Sequence, residues 1–329
     1  MFKILIMKRI NNVYDKIVSF DNLLNAYNKC LKGKREKEQI LKFRFNYEYH
    51  LKHIQSLLKN NKYAHNKYFF FWKLDSKKRR IASASFKDKI VHYAIHLVIE
   101  PMIDKRFICD SYACRREKGT FKAIKKLQRV LFFNKDKNMY CLQCDIKKYF
   151  KSIDHNVLKK ILNKHIKDKR LLKLLNIIID SYNFKIKKGI PLGNLTSQLF
   201  ANMYLNELDQ YVKHCLGCQY YLRYMDDFVI LGDKCFLKKI NVLINDSLKN
   251  HLLLEIPFKK NQIFKINKEI VFLGFVVKGE YLKIKRRSRR EMLKRCKKNK
   301  DKKTKSSYIG YINFSKNFLL KYEILKALC

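Results

Sequence analysis

The sequence is poor in acidic side chains and in the residues that interrupt regular structure. Its 329 residues include nine glycines, three prolines and only 28 Asp and Glu, against 74 Lys and Arg. Few Gly and Pro, together with 47% hydrophobic residues, exclude a disordered chain. The shortage of acids leaves a formal net charge of +46, which destabilises a compact protein unless a polyanion accompanies it. Coding bias explains Lys over Arg but not the missing acids, so the composition indicates contact with nucleic acid.

Long apolar runs and a cysteine framework are also missing. No run of 18 apolar residues occurs, so we expect no transmembrane helix. The N-terminal MFKILIMKRI is too short for a signal peptide and lacks a small-residue cleavage site. Ten irregularly scattered cysteines fit free thiols in a reducing cytosol. A zinc site is not expected. Cys141 and Cys144 lie on a predicted strand, which would point their side chains to opposite faces. Cys215 and Cys218 have no second pair of ligands with matching spacing.

Apolar periodicity predicts a chain of alternating helices and strands. Two helices are expected within 13–60, followed by an aromatic strand, KYFFFWKL, at 67–74 and a basic turn into a second strand. The three prolines are expected at element junctions. Further helices are predicted at 86–105, 120–132, 154–166, 170–182, 196–214 and 234–250, and further strands at 138–146, 221–232 and up to 285.

One apolar stretch contains two adjacent carboxylates. YLRYMDDFVILG, at 221–232, has the composition of a buried β-hairpin, with Asp226 and Asp227 in its middle. Buried neighbouring carboxylates are costly because they are desolvated and repel each other. At a turn, one of them can face the same side as Asp145, which ends the strand at 138–146. Such a site suits two Mg²⁺ ions about 3.5–4 Å apart and phosphoryl transfer, whereas a plain polar turn is the alternative.

The motifs around these carboxylates resemble those of reverse transcriptases and follow the family's order. YMDD follows an apolar strand, and QCDIKKYFKSIDH at 143–155 resembles the first catalytic block. RRIASASFKDKIVHYAI, EPMIDKRF and DSYACRREKGT, within 79–120, resemble the fingers region. FLGF at 272–275 resembles the primer-grip hairpin, and the basic segment 286–329 falls where the thumb belongs. The resemblance covers roughly 65–329, and chance agreement of so many blocks is negligible.

The resemblance implies an α+β right-hand polymerase fold with fingers, a palm made of an antiparallel sheet with helices behind it, and a small helical thumb. We expect an N-terminal helical extension (1–62), fingers and palm (63–285) and a basic helical thumb (286–329). The activity implied is that of an RNA-directed DNA polymerase, a nucleotidyltransferase. Its partners would be template RNA, primer, cDNA and dNTPs, without a membrane. Two Mg²⁺ ions, which Mn²⁺ can replace, would be bound by Asp145, Ile146, Asp226 and Asp227.

Other residues take roles from their positions in the family's motifs. Phe150 falls where the family rejects a 2′-hydroxyl, and Gly193 lets the backbone approach the nucleotide. Lys259 or Lys260 falls near the pyrophosphate, with Lys260 preferred. The remaining nucleotide contacts implied are Arg79, Arg80, Arg115, Leu192, Ser197 and Gln198. The primer and template contacts implied are Tyr224, Met225, Phe272, Leu273 and Gly274. A helix cap at Gln198 and ordinary hairpin packing of Tyr224 are the alternatives.

One block resembles a particular branch of the family, the reverse transcriptases of diversity-generating retroelements. LGNLTSQ at 192–198 has Leu192 and Gln198 where most bacterial and retroviral members have Gln and Pro in QGxxxSP. The resemblance implies copying of a template-repeat RNA, misincorporation opposite adenine, and transfer of the mutated cDNA into a variable gene. We hypothesise that Leu192 relaxes discrimination, because it offers only apolar contact where an amide would hydrogen-bond. Simple packing of Leu192 is the alternative.

Three further expectations follow from this resemblance. The chain ends soon after the thumb, so we expect no maturase, DNA-binding or endonuclease domain, and integration would need help in trans. A small basic accessory protein is the expected partner, in the cytoplasm of a bacterial or phage-infected cell. The competing interpretations are a group II intron-like, retron-like or phage-defence reverse transcriptase, and a non-catalytic RNA-binding protein.

Overall fold

The computed structural model describes residues 8–33, 38–74, 78–298 and 302–315. Short π-helical and 3₁₀ turns also occur, at Tyr211–Cys215 and Phe258–Lys260. Within the described ranges the α-helices are α1 (Tyr14–Ile17), α2 (Phe20–Leu31), α3 (Glu38–Phe45), α4 (Tyr47–Lys59), α5 (Phe86–Asp104), α6 (Thr120–Phe133), α7 (Tyr149–Ser152), α8 (His155–His165), α9 (Lys169–Asp180), α10 (Leu195–Gln210), α11 (Lys234–His251), α12 (Arg286–Lys298) and α13 (Lys302–Phe314). The strands are β1 (Phe69–Leu74), β2 (Lys78–Ser83), β3 (Tyr140–Asp145), β4 (Tyr220–Tyr224), β5 (Asp227–Gly232), β6 (Asn261–Lys265), β7 (Ile270–Phe272), β8 (Phe275–Val277) and β9 (Leu282–Ile284).

The chain divides into two compact units that interleave along the sequence. The first contains the described residues of Met1–Ile108, Ile146–Cys215 and Ile244–Ile256. The second contains those of Cys109–Asp145, Leu216–Leu243 and Pro257–Cys329. The predicted mixture of helices and sheet is confirmed, whereas the division into fingers, palm and thumb stays a prediction.

The second unit is built on an antiparallel sheet of four strands in the order β4-β5-β3-β6. A second sheet joins β7, β8 and β9, also antiparallel. Apolar side chains of both sheets and of α6 form one core, to which α12 and α13 contribute Cys296 and Ile312. The basic segment that begins at Arg286 therefore has an apolar side within the described residues, and its charges lie on a packed helix rather than on a loose tail.

The first unit is mostly helical and carries the β1–β2 hairpin. Its long helix α5 begins at Phe86 because Ser85 caps it: the Ser85 Oγ accepts from the Asp88 amide at 3.2 Å. The prediction that every proline lies at a junction is wrong for Pro101, which sits inside α5. A proline in the last turn removes only one helical hydrogen bond, so the helix continues to Asp104.

The N-terminal segment is more divided than its sequence suggested. Instead of the two helices predicted within 13–60, the described residues form α1 to α4. One break comes at Ser19, whose Oγ accepts from the Asn22 amide at 3.3 Å and so starts α2. Before α1, Asn12 adopts a left-handed φ of 54°, a conformation that asparagine tolerates better than most residues. None of the described helices combines the length and the apolar character needed to cross a membrane.

Candidate active site

Two of the three predicted aspartates meet on adjacent strands of the second unit. Asp145 is the last residue of β3 and pairs in register with Asp227, the first residue of β5. The Asp227 carboxyl is in hydrogen-bond contact with that of Asp145. Burial, with the charges of Asp145 and Asp226 next in importance, raises the pKa of Asp227 to about 7. The strands thus force together carboxylates that would otherwise repel.

A lysine approaches the same carboxylates from the segment before β6. The Lys260 Nζ donates to the Asp145 Oδ1, and its charge lowers the pKa of Asp227 against the dominant effect of burial. Lys260 therefore contacts the Asp145 carboxylate. Its role near a pyrophosphate stays a prediction.

The donor atoms of Asp145 and Asp227 are of the kind that a hard divalent cation prefers. Mg²⁺ prefers carboxylate oxygens and retains several waters, and a contacting carboxylate pair that already attracts an ammonium group offers such donors. Among the described residues, however, no three His, Cys, Asp or Glu side chains form a ready metal-binding cluster. The pair Asp145–Asp227 is what the structure brings together, and the participation of Asp226 and of Ile146, which is buried, stays a prediction.

The repulsion at this pair predicts that Asp227→Asn stabilises the metal-free protein. An Asn can donate to Asp145 without carrying a charge, so unfolding should become harder by about 1–3 kcal/mol. The measurement is urea unfolding in EDTA. Asp136→Asn is the matched control, because Asp136 is an exposed carboxylate of the same unit. A lower free energy of unfolding for Asp227→Asn than for the unmodified protein would contradict repulsion between Asp145 and Asp227.

Arg223 is a residue of this site that the sequence analysis missed. Its guanidinium is fully buried on β4, two residues before the carboxylate turn. It donates to the Met225 carbonyl at 3.0 Å and to the Ser111 Oγ at 3.1 Å. The Arg223 backbone amide donates to the Asp110 carbonyl, and the Arg223 carbonyl accepts from the Tyr112 amide, each at 2.9 Å. Arg223 therefore anchors the Met225–Asp226 turn to the segment that precedes α6.

The predicted primer and template residues lie in two hairpin turns of the second unit. Tyr224 and Asp227 pair across the Met225–Asp226 turn, and Met225 is held at a left-handed φ of 56°. The Tyr224 hydroxyl accepts from Thr120 at 3.2 Å.

The predicted FLGF hairpin is confirmed as β7–β8: Phe272 and Phe275 pair, while Leu273 and Gly274 have φ values of 50° and 85°. Such values are those of a tight two-residue turn.

The LGNLTSQ block lies in the first unit and is fixed at several points. The Leu192 carbonyl accepts from the Ala82 amide at 3.3 Å, and Gly193 has a φ of 115° that favours glycine. A Cβ at residue 193 would also lie 3.0 Å from the Ile81 side chain. Ser197 is buried whereas Leu192 and Gln198 are half-buried. The block is therefore a rigid turn followed by a helix, with Leu192 and Gln198 partly accessible.

A buried histidine fixes the start of α10. His92 Nδ1 lies 2.7 Å from the Thr196 Oγ1. Burial, reinforced by neighbouring His65, lowers the pKa of His92 to about 3, so its ring is neutral and can hydrogen-bond without a charge. This contact is a second feature that the sequence did not indicate, since the two residues are distant along the chain.

Arg79 and Arg80 lie on opposite faces of the β1–β2 hairpin. They are consecutive residues of β2, and side chains alternate between the two faces along a strand. Arg79 shares its face with Ile81, which lies beside Gly193. Arg80 is on the other face, with its guanidinium 4.1 Å from the Phe70 ring. The triphosphate contacts implied for Arg79 and Arg80 stay predictions.

Phe150 and Arg115 complete the predicted nucleotide residues. Phe150 lies on α7 in the first unit, half-buried, and its carbonyl accepts from the Ile190 amide at 2.8 Å. Arg115 belongs to the second unit and donates to the Ser111 carbonyl at 3.0 Å. The predicted nucleotide residues are thus divided between the two units, and each set is positioned by its own unit.

Comparisons with known proteins identify relatives for most of the chain. A family model described as reverse transcriptase (RNA-dependent DNA polymerase) matches residues 59–277. Protein YkfC of Escherichia coli (strain K12) is 25% identical over 242 residues, which are 61% of this chain and 64% of YkfC. Group II intron-encoded protein LtrA of Lactococcus lactis subsp. cremoris is 29% identical over 147 residues, 43% of this chain and 24% of LtrA. An uncharacterized 91 kDa protein in the cob intron of Schizosaccharomyces pombe is 28% identical over 144 residues, 42% of this chain and 17% of that protein. The chain therefore spans less than two thirds of the length of each relative.

Proposed function

The chain belongs to the reverse transcriptase family, and from that premise we propose that it makes cDNA from an RNA template by magnesium-dependent phosphoryl transfer at Asp145, Asp226 and Asp227. The observation that carries the proposal is the contact between the Asp145 and Asp227 carboxyls. Burial, with the charges of Asp145 and Asp226, raises the pKa of Asp227 to about 7, and this cost to the fold is characteristic of functional sites. Asp145, Asp226 and Asp227 all lie within the region matched by the family.

In the proposed reaction, different residues of the chain have separate roles. Bound Mg²⁺, or Mn²⁺ in its place, would activate the primer hydroxyl and neutralise the leaving pyrophosphate. Asp145, Asp226 and Asp227 would hold the cation through their carboxylates. Lys260, which contacts Asp145 in this structure, would neutralise charge on the pyrophosphate. Phe150 excludes a 2′-hydroxyl, and Gly193 admits the nucleotide next to its backbone.

The finer part of the proposal is that the enzyme copies a template-repeat RNA with errors opposite adenine, in mutagenic retrohoming of a variable gene. Leu192 and Gln198 in LGNLTSQ support it, because both are partly accessible on a rigid turn and helix start. An apolar side chain at residue 192 holds an incoming base without hydrogen bonds and so discriminates weakly. A small basic accessory protein would join the enzyme on a shared RNA, since two basic proteins repel each other.

A second candidate function is that of a group II intron-like reverse transcriptase. It is favoured by the similarity to LtrA, whose name states that it is encoded by a group II intron. The LGNLTSQ block argues against it, because Gln198 stands where proline follows the serine in QGxxxSP. Sequencing the products of the enzyme separates the two.

The test is to sequence cDNA made from a primed four-base RNA template, with Leu192→Gln beside the unmodified protein. We expect substitutions concentrated opposite adenine, and about tenfold fewer of them in Leu192→Gln, where the amide restores hydrogen-bond discrimination. Leu195→Gln is the matched control, because Leu195 is also half-buried and begins α10.

Each outcome of this test bears on a different level of the proposal. Faithful cDNA would contradict the mutagenic function but not the polymerase activity. In either case, Asp226→Asn should abolish cDNA synthesis. An adenine error rate unchanged in Leu192→Gln would remove the role of Leu192. A lack of product, even with the accessory protein added, would contradict polymerase activity itself.

A further inference from the structure

The first unit contains a cavity that none of the predicted site residues lines. Its volume is about 700 Å³, which is within the usual range for small-molecule sites. One wall is the chain segment 63–65, and the other is one face of α9 together with the residue that follows this helix. We call it the α9 cavity.

The α9 cavity has a positive end. Lys169 and Lys173 are one helical turn apart on the face of α9 that lines it, in the N-terminal part of the helix, where the helix dipole also favours an anion. Within the described part of the chain, neither ammonium group is paired with a carboxylate. The acid on this face, Asp180, lies at the other end of α9 and is bound by Lys159 at 2.6 Å. Paired ammonium groups of this kind bind phosphate as point charges.

Beyond the lysines, the same face of α9 offers apolar surface and an amide. Leu172 and Ile177 are half-buried in the wall of the cavity and can contact a flat ring. Asn176 also lines the cavity, and its side chain has both a donor and an acceptor, as the edge of a purine requires. The combination of cations, apolar surface and amide therefore fits a nucleoside phosphate better than a bare anion.

Two chains of hydrogen bonds lead from the α9 cavity to the LGNLTSQ block. The first begins at His65, whose Nδ1 lies 2.6 Å from the Asn66 carbonyl oxygen and so carries the ring hydrogen. The His65 Nε2 is then an acceptor, 3.1 Å from the Nε2 of His92. His92 contacts Thr196 with its other nitrogen. A displacement of His65 therefore reaches the start of α10 through one buried ring.

The second chain begins at Ser181, which also lines the cavity. The Ser181 hydroxyl donates to the Ile178 carbonyl at 2.7 Å, so its Oγ accepts from the Tyr68 hydroxyl at 3.1 Å. The Tyr68 hydroxyl accepts from the Asn194 Nδ2 at 3.3 Å. Asn194 is buried, and its Oδ1 has no hydrogen-bond partner among the described residues. The LGNLTSQ block thus contains a buried amide that can gain a bond when its surroundings shift.

We propose that the α9 cavity binds a nucleoside phosphate, and that its occupation shifts the LGNLTSQ block through Tyr68 and His92. The phosphate lies at Lys169 and Lys173, and the base lies between α9 and the segment 63–65. The effect on cDNA synthesis rests on the proposed function, whereas binding is argued from the cavity alone. No carboxylate of the proposed reaction lines the cavity, so the ligand acts there as a regulator and not as a substrate.

Adenosine monophosphate (AMP) is the probe, titrated into the full-length protein by calorimetry without primer or template. EDTA removes the divalent cations that the proposed reaction needs, and physiological salt screens the general positive charge of the chain. We expect one saturable site. Inorganic phosphate lacks the base and adenosine lacks the charge, so each should bind at least about tenfold more weakly.

Two matched variants locate the site. Lys173→Gln removes one ammonium group from the cavity and should weaken AMP binding about tenfold. Lys160→Gln makes the same change at an exposed position of α8 and should leave the affinity unchanged. Circular dichroism checks that both are folded. Absence of a saturable site, equal weakening by the two variants, or phosphate bound as tightly as AMP would overturn the proposal.

Hydrogen exchange of the amides at 192–198 measures whether occupation reaches the LGNLTSQ block. We expect saturating AMP to change their exchange rates about fivefold. Tyr68→Phe removes the hydroxyl that joins Ser181 to Asn194, so the AMP affinity should persist while the change in exchange becomes smaller. Tyr182→Phe is the matched control, because the Tyr182 ring packs against Tyr68 with centres 5.5 Å apart and belongs to neither chain of hydrogen bonds. Exchange that AMP leaves unchanged, or that responds equally in the two variants, would contradict the transmission.

The same measurements separate this proposal from the proposed function. Binding and exchange require no nucleotide addition, so Asp226→Asn protein should behave like the unmodified protein. In primer extension, saturating AMP should change the KM for dNTPs about fivefold, and Lys173→Gln should remove this effect. Polymerase activity without AMP binding would contradict only the α9 cavity as a site. AMP binding without polymerase activity would contradict only the proposed reaction.

Discussion

Asp145→Asn is expected to reduce cDNA synthesis by a factor on the order of 10³ or more, because an amide cannot replace a carboxylate that binds the cation. The substitution keeps the size and the planar shape of the side chain. It also removes the negative charge that repels Asp227 across β3 and β5, which should not destabilise the fold. The loss should therefore lie in catalysis rather than in folding.

The measurement is single-turnover extension of a labelled primer on RNA with Mg²⁺ in excess. Asp136→Asn is again the matched control, since it makes the same chemical change at an exposed position. Urea unfolding of both variants shows whether the fold survives. Full extension by Asp145→Asn protein would show that the carboxylate pair is not the catalytic centre.

Arg223→Met is expected to destabilise the second unit by about 2–4 kcal/mol, because two buried acceptors each lose a donor at a cost of about 1–3 kcal/mol. Methionine fills much of the space but cannot donate to Met225 and Ser111, whose acceptors then stay buried. Because the lost bonds hold the turn that carries Asp226, primer extension should fall as well. Activity should fall even at temperatures where the variant is folded.

The measurement is urea unfolding together with primer extension at low temperature. Arg129→Met is the control, because Arg129 is an exposed residue of α6 in the same unit. It should change the unfolding free energy by less than about 0.5 kcal/mol. If Arg223→Met is as stable and as active as that control, Arg223 does not anchor the turn.

The carboxylate hairpin was predictable because several local signals agree there. Apolar residues flank Asp226 and Asp227 on both sides, so a strand, a turn and a second strand are the natural interpretation. Asp145 ends a similar strand, and its partner on the neighbouring strand is indeed Asp227. The FLGF turn, in contrast, was predicted from its resemblance to the family's primer-grip hairpin.

Arg223 could not be found from the sequence. Arginine is rarely buried, and its Ser111 partner is 112 residues away. Nothing local distinguishes it from the many exposed basic residues of this chain. The same holds for His92, whose partner Thr196 is 104 residues away. Only the folded chain brings such partners together.

The placement of Arg79 and Arg80 on opposite faces is of a different kind, because a local signal for it was available in the sequence. The two residues follow an aromatic strand and a basic turn, and a second strand was predicted there. Consecutive residues of a strand face opposite ways. Strand alternation therefore already separates Arg79 from Arg80.

The conformation of Met225 has a consequence for how replaceable this residue is. A left-handed φ of 56° costs a side-chain-bearing residue about 1–2 kcal/mol. A glycine would avoid that cost and lose about 0.5–1 kcal/mol to its greater freedom in the unfolded chain. The backbone of the turn therefore gains nothing from a methionine. What Met225 adds is a buried apolar side chain, so position 225 should accept residues that keep this burial and tolerate a left-handed φ.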